Sequence, residues 1–115
     1  LRSVSAGYAH ACALTHPRLK VVCWGSSTFG QSSAPPGQGF RSVCAGASHS
    51  CAVDAGGRLV CWGSNELGQA PPSSPVDNLD LQAVACGAGH TCVLTTQGMV
   101  RCFGAGETRG DDPAP

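Results

Sequence analysis

Apolar residues recur along the chain in short bursts bounded by Gly, Pro, Ser or Asp, and no stretch holds the 3.6-residue rhythm of an amphipathic helix. The middle of the sequence is the clearest case. Ser42–Ala45, Ser50–Val53 and Leu59–Trp62 each read as a short strand. Asp54-Ala-Gly-Gly57, between the last two, reads as a hairpin turn because Gly takes positive φ at low cost. Pro35, Pro36, Pro71, Pro72 and Pro75 lack the N–H that a central strand needs, which confines the segments around them to loops or weak edge strands. The pattern predicts an all-β chain.

The bursts repeat. His10, His49 and His90 each open a His-x-Cys-[Ala/Val]-[Leu/Val] segment, at spacings of 39 and 41 residues. Gly7, Gly46 and Gly87 stand three positions before each His. Val22-Cys-Trp-Gly25, Val60-Cys-Trp-Gly63 and Arg101-Cys-Phe-Gly104 close the units, and Gly30-Gln31 and Gly68-Gln69 follow at matched offsets. The expected division is one repeat over 1–39, a second over 40–80, and a third over 81–115 that includes the start of a linker to a following repeat.

Strand register follows from the cysteines. Setting Cys51 opposite Cys61 centres the hairpin on Gly56 and places Ala52 against Val60, Val53 against Leu59, Asp54 against Arg58 and Ser50 against Trp62. Each pair is chemically compatible. The same construction sets Cys92 opposite Cys102 and Thr91 opposite Phe103, and in the first unit Cys12 opposite Cys23 and Ala11 opposite Trp24. Three hairpin disulfides are therefore expected, Cys12–Cys23, Cys51–Cys61 and Cys92–Cys102, each contributing roughly 2–4 kcal/mol. Cys44 aligns with Ser5 and Cys86 with Ala6, which puts these two on opposite strand faces. An inter-unit bridge, pairing elsewhere, and burial as small apolar residues all stay open for them.

Composition sharpens the class. The 115 residues carry 7 basic and 7 acidic side chains, and charged residues make up 12%, about half the roughly 25% usual in soluble domains. Without a basic surplus to neutralise phosphates, nucleic acid is not an expected partner. No apolar run approaches the roughly 20 residues of a membrane span, so direct membrane insertion is not expected. The eight Cys are an even number, and Lys20 is the only lysine. Paired cysteines belong to oxidising compartments, so the expected location is secreted or extracellular. Leu1 follows no initiator Met and no charged-then-apolar leader, as in a mature product or a segment of a longer chain.

With these residues in view, the Ala-Gly-x-x-His-x-Cys-Ala-[Leu/Val] and Val-x-Cys-Trp-Gly-x-x-x-x-Gly-Gln segments resemble regulator-of-chromosome-condensation repeats. The unit length and paired Cys are more similar to the short variant in plant crinkly-type receptor kinases, or in bacterial secreted proteins. The resemblance implies β-propeller blades of four strands around an axis, usually seven to a ring. Three consecutive repeats of about 39 residues form an incomplete ring, because closure takes at least about four blades. A slice of a longer propeller is expected.

Chemistry in the repeat has a plain structural reading. A His two positions before a Cys on one strand face supplies two zinc-type ligands, and Cys61 opposite Cys51 a third. The same geometry makes the disulfide, however. His10, His49 and His90 are read as structural residues hydrogen-bonding backbone at a strand entrance, and no metal or cofactor is expected. Trp24, Trp62 and Phe103 share one repeat position and are read as inter-blade packing residues. The Gly-rich runs lack a P-loop Lys-[Ser/Thr] or a dinucleotide spacing, no Gly-x-Ser-x-Gly elbow occurs, and no catalytic constellation emerges.

A noncatalytic extracellular protein-interaction propeller, in a receptor ectodomain or a secreted scaffold, is the expected function. Its partner would be a protein or neighbouring blades of the same or another chain. Loops on a rigid scaffold carry recognition, which singles out Arg18, Lys20, Phe29, Glu66 and Leu67. A structural component of a cell wall, surface appendage or large extracellular assembly is the alternative, and a propeller-type enzyme inhibitor a third class.

Overall fold

Alternation of apolar and small residues resolves, in a computed structural model, into nine strands among the described residues. The structure describes residues 3–27, 30–64 and 79–104. The strands are β1 (Ser3–Ala6), β2 (His10–Leu14), β3 (Val21–Gly25), β4 (Ser42–Ala45), β5 (His49–Val53), β6 (Leu59–Gly63), β7 (Leu81–Cys86), β8 (His90–Thr95) and β9 (Val100–Gly104). They form three antiparallel three-stranded sheets in the orders β1-β2-β3, β4-β5-β6 and β7-β8-β9. These are stacked propeller blades, and the ring is not closed. Three strands per blade are found among the described residues, where the resemblance implies four. In the first unit, Pro35 and Pro36 withhold donors, while Gly30, Gly37 and Gly39 take positive φ. That stretch runs as turns. Its counterpart at 65–78 lies outside the described residues, along with Gly68-Gln69, Pro71, Pro72 and Pro75.

The hairpin registers are those the cysteine pattern predicts: Cys12 opposite Cys23, Cys51 opposite Cys61 and Cys92 opposite Cys102. The turns differ in one detail. Asp54 and Arg58 face each other through the Asp54 N–H bond to the Arg58 carbonyl, 2.9 Å. No acid–base pair forms between their side chains. The Asp54 carboxylate accepts instead from the N–H groups of Gly56 and Arg58, at 2.9 and 3.0 Å. A short acidic side chain reaches its own turn more readily than a distant guanidinium. Thr95 serves the third hairpin the same way, its Oγ1 accepting from the Met99 N–H at 2.9 Å.

The blades stack face to face and bury two apolar seams. Cys12, Leu14, Val21, Phe40, Val43 and Ala52 fill the first, with Trp62 packed against it. Cys44, Cys51, Val53, Leu59, Leu81, Val84 and Val93 fill the second, with Phe103 and Cys86 packed against it. Val53 and Leu81 are wholly buried, each worth about 1.5–3 kcal/mol by transfer out of water. Position in the stack explains the burial patterns. β5 has a neighbour on both faces and is buried at all five positions. β8 alternates, with Thr91, Val93 and Thr95 buried towards the second blade.

Candidate functional site

Each repeat places its His at the first position of its second strand, behind a Gly-x-x loop. The three loops stack in register. The Tyr8 N–H reaches the Gly46 carbonyl at 3.3 Å, and the Ala47 N–H the Ala88 carbonyl at 3.2 Å. Segments 6–8, 45–47 and 86–88 line a shallow cleft of about 260 Å³, at which Tyr8 stands 90% exposed. Gly46 has to be glycine for lack of room: a Cβ there would run into the His49 ring and the Gly87 carbonyl.

His10 and His49 bond side chains of the following blade, which corrects the expected backbone partner. His10 Nε2 lies 2.8 Å from Ser50 Oγ, and His49 Nε2 lies 2.9 Å from Thr91 Oγ1. Ser50 Oγ–H donates to the Gln31 carbonyl at 2.9 Å, so it accepts from His10, which carries its proton on Nε2. The Nδ1 atoms of both rings are buried without a hydrogen-bond partner. Burial holds the His49 imidazole down to about pKa 4, with the charges of His10 and His90 adding to the effect. Burial lowers the His10 pKa as well. Both rings are neutral at pH 7.

The eight cysteines make four pairs at disulfide distance: Cys12–Cys23, Cys51–Cys61, Cys92–Cys102 and Cys44–Cys86. The last spans the second seam. Opposite strand faces are what this pairing requires, since the surface a blade turns to its neighbour is the opposite of the one the neighbour turns back.

Trp62 and Phe103 pack against the seams, and Trp62 Nε1–H donates to the Gln31 carbonyl at 2.8 Å. Trp24, at the equivalent position of the first blade, is 49% exposed, because no described residue covers that face. Arg18 and Lys20 are exposed on the loop joining β2 to β3. Phe29, Glu66 and Leu67 lie outside the described residues. Ser50, Thr91 and Gln31 were not singled out by sequence reasoning, although a hydroxyl directly after His49 and His90 is a readable signal. Arg41 was also missed: it pairs with Asp80 at 2.9 Å and donates to the Leu81 carbonyl at 2.9 Å, tying the second blade to the third.

Among the described residues, one group has the composition of a metal centre. His49, Cys51 and Cys86 bring ligand atoms within 4.8 Å of one another, but both sulfurs are engaged in disulfide pairs. The hydroxyl–imidazole pairs Ser50–His10 and Thr91–His49 are buried between blades. The site as built can recognise a surface and hold a rigid shape.

Solved structures agree with this geometry. The entire ectodomain of the receptor kinase CR4 from Physcomitrella patens is 28% identical, with a TM-score of 0.76 over 96% of this chain and 31% of that one. The crinkly ectodomain of the Arabidopsis thaliana receptor kinase ACR4 is 29% identical, with a TM-score of 0.69 over 98% of this chain and 38% of that one. Prp20p of Saccharomyces cerevisiae shares the fold at 19% identity, with a TM-score of 0.76 over 91% of this chain and 31% of that one. The chain thus spans about a third of the length of each. No curated protein matches it. The model for the regulator of chromosome condensation (RCC1) repeat matches residues 40–69 and 82–110, half of the sequence. The chain belongs to the RCC1 repeat family.

Proposed function

We propose that this chain is part of a noncatalytic extracellular propeller that binds another protein, with blade repeats over 1–39, 40–80 and 81–115. The observation that carries the reading is cysteine use. All eight residues are paired and no free cysteine remains, an arrangement suited to oxidising surroundings and not to a glutathione-reduced compartment. Likeness to two receptor-kinase ectodomains supports the same compartment. The recognition surface includes the loop bearing Arg18 and Lys20; Phe29, Glu66 and Leu67, which lie outside the described residues, are its further candidate positions.

A photo-crosslinker at residue 18, applied to intact cells of the source organism, tests this. The reading expects a labelled surface protein, with labelling lost in Lys20→Glu and kept in Arg58→Glu, which lies on another exposed turn. Labelling of intracellular proteins alone, or equal labelling by both variants, would overturn it.

A structural role in a larger assembly is favoured by one feature, the uncovered apolar face of the first blade. Val4, Val22 and Trp24 are 63%, 39% and 49% exposed there.

A further inference from the structure

The second seam holds more sulfur than stapling two blades requires. β4, β5 and β6 set Cys44, Cys51 and Cys61 side by side in register, and Cys86 enters from the third blade. His49 shares the seam, wholly buried, with Nε2 held by Thr91 and Nδ1 without a partner. The first seam is built differently, since Ala45 occupies the position of Cys86 in the repeat.

We propose that, when its two disulfides are reduced, this seam binds one Zn²⁺-like ion through His49, Cys51 and Cys86. The ligand atoms lie within 4.8 Å of one another. A tetrahedral site with bonds of about 2.0–2.3 Å sets its ligands about 3.3–3.8 Å apart, so closure by about 1 Å completes the geometry. Breaking the S–S bonds frees the sulfurs for that movement. Thiolate sulfur and imidazole suit a borderline-soft divalent ion, and a ring fixed through its other nitrogen is the usual state of a metal-bound His. Cys44 or Cys61, released from its partner, supplies the fourth ligand, a third thiolate.

The reductant is a dithiol. Each protein disulfide gains two electrons and two protons, the dithiol leaves as its own cyclic disulfide, and metal binding then expels three thiol protons to solvent, those of Cys51, Cys86 and the fourth-ligand cysteine. The oxidised chain has no thiolates to offer and binds no metal at this place.

Anaerobic titration with Co²⁺, after reduction and removal of the dithiol by gel filtration, tests the site through thiolate-to-cobalt charge-transfer absorption. One Co²⁺ per reduced chain is expected, displaced by Zn²⁺, with none on the oxidised chain. Cys86→Ser and His49→Ala should each weaken binding by more than about tenfold. The double variant Cys92→Ser/Cys102→Ser, which removes a pair outside the seam, should bind as the parent does. A reduced chain that binds no Co²⁺ overturns the proposal. So does equal loss in the double variant, which marks chance coordination by unfolded thiols. Neither result bears on the extracellular reading, which rests on the thiol state of the native protein.

Discussion

His49 Nε2 and Thr91 Oγ1 sit 2.9 Å apart across the seam between the second and third blades, both residues wholly buried. The His10–Ser50 contact repeats the arrangement one blade earlier, at 2.8 Å. A polar bond of this kind, beside the Cys44–Cys86 and Arg41–Asp80 pairs, helps fix rotation and translation between the second and third blades. Each blade thereby supplies the His that its successor's hydroxyl receives.

Thr91→Val keeps the side-chain shape and leaves the buried His49 Nε2 without its partner. Denaturant unfolding should show a loss of about 1–3 kcal/mol, the penalty for an unpaired buried polar group. Thr91→Ser should recover most of it. A Thr91→Ser loss as large as that of Thr91→Val would contradict the role given to the hydroxyl.

Two glycine substitutions separate crowding from backbone conformation. Gly46→Ala places a methyl against the His49 ring and the Gly87 carbonyl, neither of which has room to retreat. Gly98→Ala meets nothing within 4 Å but must hold φ at 87°. Gly98→Ala should cost about 1–2 kcal/mol from the left-handed backbone alone. Gly46→Ala should cost more, with the chain failing to fold at the extreme. Thermal melts of both proteins check the order.

Lowering pH should loosen the seams. The His49 pKa is depressed from 6.5 to about 4 by burial, so between those values the unfolded chain binds a proton that the folded one refuses. Its contribution is fully present above pH 6.5 and is lost as pH falls towards 4, by at most about 3 kcal/mol. Urea midpoints taken from pH 7 to 4 should fall in the parent and fall less in His49→Gln. A parent profile flat across that window would contradict the assigned burial.

Blade architecture was legible because one unit is written three times, and because cross-strand chemistry admits a single register around Cys51 and Cys61. Intra-blade contacts depend only on alternation and turn length, both visible in a linear string. Inter-blade contacts depend on how sheets stack, which a linear string does not display. Ser50 and Thr91 looked like ordinary small strand residues until a neighbouring His faced them. Cys44 and Cys86 stand on opposite faces of their own blades, which is the placement that facing blades need for a bridge. Trp24 and Trp62 are equivalent in the repeat, yet Trp62 packs into a seam while Trp24 is half-exposed. A repeat gives a residue its place in the blade, whereas burial depends on which neighbour is present.

Covalent state tests the central claim most directly. The native protein, denatured without reductant in the presence of an alkylating reagent, should show an intact mass with no alkyl groups added. That mass corresponds to four disulfides, and a non-reduced peptide map should recover the Cys44 and Cys86 peptides linked. Eight alkylated cysteines would contradict the account, removing both the covalent staple between blades and the oxidising compartment that the pairing implies.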